Sequence, residues 1–293
     1  MREVALTRRE FVVGTAGVLV STRWVGTRGA ELTAREVVDR IQSRVGVPWR
    51  ATTVDGFKAG DPATPVTGIA TMAMPTIDLL RRAAAASRNM IITQEPTFYS
   101  GNDDPGNRAT DAVYLEKKAF LDRNRMVVWR FSDHWNARTP NDAAAALASR
   151  LGWTRRASPA DESIYQIPET RFDALLTHVA NRLAVRGGLR SVGDRGMRVR
   201  TVLVNPGSAT VPIALEGLRR ADVILTGEPR EWEVVPYVLD TWQSGRGKGL
   251  IAVGRLVSEA PGVEACAGWL KAQIPDVPVE AFATPDPYWN PLS

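Results

Sequence analysis

The chain has 293 residues, 44% hydrophobic and 24% charged, with 37 basic against 32 acidic side chains and a formal charge of +5. That apolar content supports one large core or two moderate ones and excludes a disordered or low-complexity protein. Residues 1–30 hold Arg2, Arg8, Arg9, Arg23 and Arg28 against Glu3 and Glu10, so the rest carries about +2 and shows no basic run interleaved with aromatics, which excludes a nucleic-acid footprint.

Taken in order, the first segment is Thr7-Arg8-Arg9-Glu10-Phe11-Val12, then an apolar stretch over 11–20, then the small residues Gly26, Thr27, Gly29 and Ala30. This is the order of a twin-arginine signal peptide. The apolar stretch is half the roughly 20 residues that a membrane-spanning helix needs. The expectation is a domain plan of 1–30 signal, 31–157 first lobe and 158–293 second lobe. The twin-arginine machinery would carry the folded chain to the periplasm or beyond, with no membrane association after cleavage near Glu31. A single cysteine, Cys266, allows no intrachain disulfide, and its neighbours Val263, Trp269 and Leu270 mark it as a buried apolar side chain.

Thr33-Ala34-Arg35-Glu36 is a capping box that opens a helix carrying Val37, Val38, Ile41 and Val45. An extended run over 66–74, a helix capped at Thr76 and a buried strand over 89–93 form a βαβ unit, repeated by a helix over 112–124, a strand over 126–131 and a helix over 141–151. A short strand over 163–167 and a helix capped at Thr170 lead into the second half. Strands are predicted over 200–205, 222–226 and 250–253, helices over 211–220, 231–242 and 263–274, and a last strand over 279–282. The alternation predicts an α/β protein: two related lobes with mainly parallel sheets flanked by helices, facing a central cleft.

Ligands in such sheets bind beyond the carboxyl ends of strands, which selects Gln94 and Glu95, then Ser132, Asp133 and His134, then 205–209, Gly227 with Glu228, and Arg255 with Glu259. Glu95, His134 and Glu259 carry oxygen and imidazole donors suited to a divalent metal. The turn over 205–209 sets Gly207 and Ser208 between a strand and a helix start, where free N–H groups suit an anion, or a tight turn with a serine cap. It has neither a dinucleotide nor a P-loop fingerprint, and no G-x-S-x-G nucleophile elbow is present.

Three runs, Asp55-Gly56-Phe57-Lys58-Ala59-Gly60-Asp61, Val66 to Thr76 and Asn89 to Tyr99, together with Ser191-Val192-Gly193-Asp194, Leu225-Thr226-Gly227-Glu228 and Gly254-Arg255 with Ser258-Glu259, resemble the Nif-three-like dinuclear-metal family, also called type 2 GTP cyclohydrolase I homologues. The resemblance covers nearly all of 31–293 and implies two α/β lobes, a toroidal homohexamer and two metal ions per cleft. It also implies which residues hold them. The family's His pair falls on Gln94 and Glu95, its His-x-x-x-Asp on His134 and Arg138, its His-x-x-x-Glu on Arg255 and Glu259, a further His on Trp232, and an Asp on Glu228. A guanidinium offers no lone pair, so Arg138 and Arg255 are not ligands. Two functions stay open: a ligand-binding, non-catalytic protein whose cleft, with Arg138, Arg255, Gly207 and Ser208, takes an anionic small molecule, and a hydrolase or cyclohydrolase using one metal at Glu95, His134 and Glu259. Arg255 and Glu259, spaced i to i+4, also suit an ordinary helix-surface pair.

Overall fold

The computed structural model describes residues 31–155, 157 and 162–289; the segment read as an export signal lies outside them. From residue 32 the described residues form one compact unit. In chain order the elements are α1 (Ala34–Arg44), β1 (Gly56–Ala59), β2 (Ile69–Met72), α2 (Ile77–Ala85), β3 (Met90–Thr93), α3 (Ala112–Arg123), β4 (Val127–Arg130), α4 (Asp133–Asn136), α5 (Asp142–Arg150), β5 (Ile164–Arg171), α6 (Phe172–Leu183), β6 (Arg190–Val192), β7 (Arg198–Ala209), α7 (Val211–Leu218), β8 (Val223–Pro229), α8 (Glu231–Gln243), β9 (Gly249–Ala252), α9 (Arg255–Gln273) and β10 (Val279–Ala281).

Two five-stranded sheets result, ordered β1-β4-β3-β2-β10 and β5-β7-β8-β9-β6. The central pairs are parallel, while β1, β5 and β6 run antiparallel at edges. The parallel strands β2, β3, β4 and β9 are buried along their whole length, as a sheet covered on both faces requires. At the start of α1 the Thr33 hydroxyl accepts from Glu36 N at 3.3 Å and the Glu36 carboxylate from Thr33 N at 2.7 Å, so the capping box forms as read.

Chain order and spatial order part company in three places. The last strand, expected with the second lobe, pairs in parallel with β2, Val279 opposite Ile69. Helix α5, expected with the first lobe, buries Ala144, Leu147 and Ala148 among Val202, Val204 and Val179 of the second. Helix α9 begins at Arg255, well before the predicted start at 263, and contains Pro261. A proline usually marks a helix boundary, which is why the earlier turns were not legible. Its first turns lie against β7 and β8, and farther on Cys266, Ala267 and Leu270 enter the first core. The helix therefore ties the two sheets together.

Two local expectations also change. Thr170 does not cap a helix, because β5 continues to Arg171 and α6 starts at Phe172. Residues 205–209 are not a turn but the end of the twelve-residue β7, whose register against β8 slips between Asn205 and Ser208. Gly207 sits in that bulge at φ +78°, a conformation in which a side chain is strained.

Candidate functional site

The carboxyl ends of β3 and β8 and the first turn of α9 after β9 bring three carboxylates into one cluster around Arg255, the first residue of α9. Its Nη2 donates to Glu95 Oε1 at 2.6 Å, its Nη1 to Glu228 Oε1 at 2.6 Å and its Nε to Glu259 Oε1 at 3.2 Å. Glu95 comes from the first sheet and the others from the second half, so the guanidinium bridges the lobes. Glu95 and Glu259 are buried, whereas the Glu228 side chain is half exposed. Burial works against the charge on Arg255, yet Glu95 and Glu259 outweigh it and hold the guanidinium's pKa above its ordinary value.

Glu259 is the unusual carboxyl. Burial, then the charge of Glu95, push its pKa up to about 8 against the pull of Arg255. Among the described residues its Oε2 finds no hydrogen-bond donor. A proton on Glu259 turns that orphaned acceptor into a donor and removes one of the carboxylate charges packed around a single guanidinium.

The backbone leaves little slack here. Gly207 N donates to Ser258 Oγ at 2.9 Å, and Ser258 Oγ donates to Arg255 O at 2.7 Å. The N–H expected to greet an anion is therefore already engaged. A Cβ at Gly227 would lie 2.4 Å from Ser258 Oγ and 2.6 Å from Gly207 O, so only glycine lets β8 approach α9 this closely. A cavity of about 680 Å³ opens over the cluster, with Glu95, Glu259 and Arg255 in its wall together with Ser132, Asn141 and Asn205.

Four residues singled out in the sequence lie outside this cluster. His134 is fully buried, stacked on Trp49 with ring centroids 3.6 Å apart. Arg50 N donates to its Nε2 at 2.9 Å, which leaves Nδ1 to carry the proton and donate to Asp55 Oδ2 at 2.7 Å. Both ring nitrogens are thus spoken for. The Asp55 carboxylate also accepts from Ser132 N, Asp133 N and His134 N at 2.6 to 2.9 Å and so fixes α4. Arg138 turns away from the cleft, donating to Asp142 Oδ2 at 2.9 Å and Val45 O at 2.8 Å and lying over the Trp135 and Trp269 rings. Gln94 is buried, its carbonyl oxygen accepting from Arg130 Nε at 3.1 Å. Trp232 is 73% exposed. Among the described residues no three or more His, Cys, Asp and Glu side chains are arranged to hold a metal ion.

Sequence reasoning missed Asp55 and Ser258. Both stood in the motifs that carry the family resemblance, which was their signal, but neither was given a role: Asp55 meets His134, 79 positions on, and Ser258 meets Gly207, 51 positions back.

The model of the family Duf34/NIF3 (NGG1p interacting factor 3) matches residues 32–287. Among solved structures, hypothetical protein SA1388 of Staphylococcus aureus superposes with a TM-score of 0.72 at 15% identity, covering 88% of this chain and 99% of that one. A Bacillus cereus protein related to NIF3 gives 0.70 at 13%, covering 89% and 100%. Reduced HcgD from Methanocaldococcus jannaschii gives 0.58 at 14%, covering 86% and 98%. These likenesses carry the fold. Among curated proteins none matches the chain.

Proposed function

Because the chain belongs to the Duf34/NIF3 family, we propose that it is a ligand-binding member whose central cleft works without a metal pair, the Arg255 guanidinium standing where the resemblance puts a histidine ligand. One observation carries this: Arg255 is bonded to Glu95, Glu228 and Glu259 together, which are the oxygens a metal at this place would need. Since a guanidinium is always protonated and donates only, the donor set here does not fit a dinuclear centre. His134, with both nitrogens engaged, adds nothing to it.

The ligand reading shifts with the charge. Carboxylates outnumber the one cation at the cluster, Arg138 is elsewhere and Gly207 N is engaged, so support for an anionic ligand falls away. The cavity wall instead sets Ser132, Ser163 and Asn136 beside Glu95 and Glu259, with Arg255 and Arg220 also in the lining and the carboxamides of Asn141 and Asn205 already bonded within the protein. That set suits a small, uncharged, polyhydroxylated or amide-bearing molecule. Elemental analysis of protein purified without chelator, before and after dialysis against zinc or manganese, is expected to find no stoichiometric metal. Stoichiometric metal that Glu95→Ala removes would overturn the reading.

A second reading rests on Glu259. A buried carboxyl raised to about 8 is poised as a general acid, which would make the cleft a metal-independent hydrolase site. Measurable hydrolysis of a neutral glycoside or amide substrate, lost in Glu259→Gln with binding retained, would favour it.

Family resemblance implies a homohexamer, and the exposed Trp232, Val113 and Leu115 offer apolar surface for assembly. The Arg8-Arg9-Glu10-Phe11 segment supports export. In cell fractionation, Arg8→Lys with Arg9→Lys is expected to hold the protein in the cytoplasm; unchanged export would remove the twin-arginine reading.

A further inference from the structure

Helix α3 is inside out at one position. Its exposed face carries Val113 and Leu115, 59% and 47% exposed, while Lys117, 3% exposed, is turned inward beside Leu121. A buried lysine is costly unless it is paired, and among the described residues no carboxylate forms an ion pair with it, the nearby Asp103 lying instead by Arg130. The ammonium donates to Thr97 O at 2.6 Å and lies 4.8 Å from the centre of the Tyr99 ring. Tyr99 adopts φ +63°, a backbone conformation that non-glycine residues rarely take, and it holds that ring beside the amine while remaining 54% exposed. Lys117 and Tyr99 line a cavity of about 430 Å³ with Met74, Pro75, Ile77 and Pro96. The walls are mainly apolar, and Glu95 stands where this cavity adjoins the cleft.

We propose that this cavity is a second ligand site, in which the Lys117 amine condenses with a small, mainly apolar aldehyde or ketone to form an imine. The amine lone pair makes the new bond to the carbonyl carbon, and both amine hydrogens leave on the carbonyl oxygen as water. No other reactant is required. The resulting C=N nitrogen, once protonated, donates to Thr97 O and lies by the face of Tyr99, the two groups that already receive the ammonium. Burial lowers the Lys117 pKa to about 8, against the opposing pull of Asp103, so free amine is present near neutral pH. The apolar walls accept a hydrocarbon substituent and shield the imine from water.

The chain has only five lysines, Lys58, Lys117, Lys118, Lys248 and Lys271, so the reaction can be mapped residue by residue. The test is incubation of the full-length protein with benzaldehyde and cyanoborohydride near neutral pH, followed by peptide mass spectrometry. Reduction converts the imine into a stable benzylamine. Lys117 is expected to be labelled at least about tenfold faster than the exposed Lys118 and Lys271, since an ordinary lysine is almost wholly protonated there. Benzyl alcohol, which fills the same space without reacting, is expected to slow labelling of Lys117 alone. Lys117→Arg should lose the fast adduct, with circular dichroism checking its fold. Labelling of Lys118 or Lys271 as fast as Lys117, or no protection by benzyl alcohol, would overturn the proposal even if the variant fails to fold. A merely structural lysine, tying α3 to Thr97, predicts neither selectivity nor protection.

Discussion

Replacing Arg255 with methionine is expected to destabilise the protein by on the order of 3–5 kcal/mol, read as a drop in the urea midpoint near neutral pH. The methionine fills part of the space, but it leaves Glu95 buried with its cation gone, and Glu259, which holds its own proton at neutral pH, cannot replace that cation. Removing one partner of a buried ionic set costs more than the set contributes, because a desolvated charge stays behind. Glu228 matters little to this figure, since its side chain is half exposed and water screens it. Arg255→Lys is expected to recover only part of the loss, as one ammonium cannot reach three carboxylates in the directions a planar fork does. Glu95→Gln with Glu259→Gln, added to Arg255→Met, should recover most of it by discharging the site. A single variant within about 0.5 kcal/mol of the parent would mean the cluster is a solvated pair and nothing more.

The second large effect is in pH. Glu259 titrates near 4.5 when exposed and near 8 in the fold. Between those values the folded chain holds a proton that the unfolded chain has released, so stability from this group is complete below about 4.5 and is lost as pH rises through about 8. At about 1.4 kcal/mol per pH unit over the interval from 4.5 to about 8, the loss reaches the order of 5 kcal/mol by alkaline pH. In Glu259→Gln the amide mimics the protonated carboxyl, and the slope should vanish. Unfolding free energies at about pH 5, 7 and 9 for parent and variant give the comparison: the variant should gain on the parent as pH rises. Parallel curves would show that Glu259 ionises in the fold as freely as in solution.

Much of the architecture was legible because it follows local rules. The capping box at Thr33, the apolar runs of β3, β4 and β8, and the turn residues between them each fix an element with little help from elsewhere. The edge strands β1 and β6 were not legible, since half-exposed three- and four-residue strands have too short a pattern to stand out. Strand-end reasoning found Glu95, Glu228, Arg255 and Glu259 and brought them to one place. It also gathered His134, and the family resemblance added Arg138, but both point elsewhere, one sealed by Asp55 and Trp49, the other drawn to Trp135 and Trp269. Topology fixes where a Cα sits; side-chain direction depends on partners distant in sequence. Lys117 was invisible for the same reason. Its spacing marks it as one more polar residue on an amphipathic helix, and only the packed structure shows that it faces inward.

The pairing of β10 with β2 joins residues some 210 positions apart. On a ribosome the first sheet is therefore made long before its closing edge strand exists, and β2 waits with a bare edge until almost the whole chain has emerged. The lobe built first is finished last. C-terminal truncation by even two dozen residues should thus damage the N-terminal half more than its own neighbourhood. A chaperone covering the open β2 edge would protect the nascent chain at its weakest point.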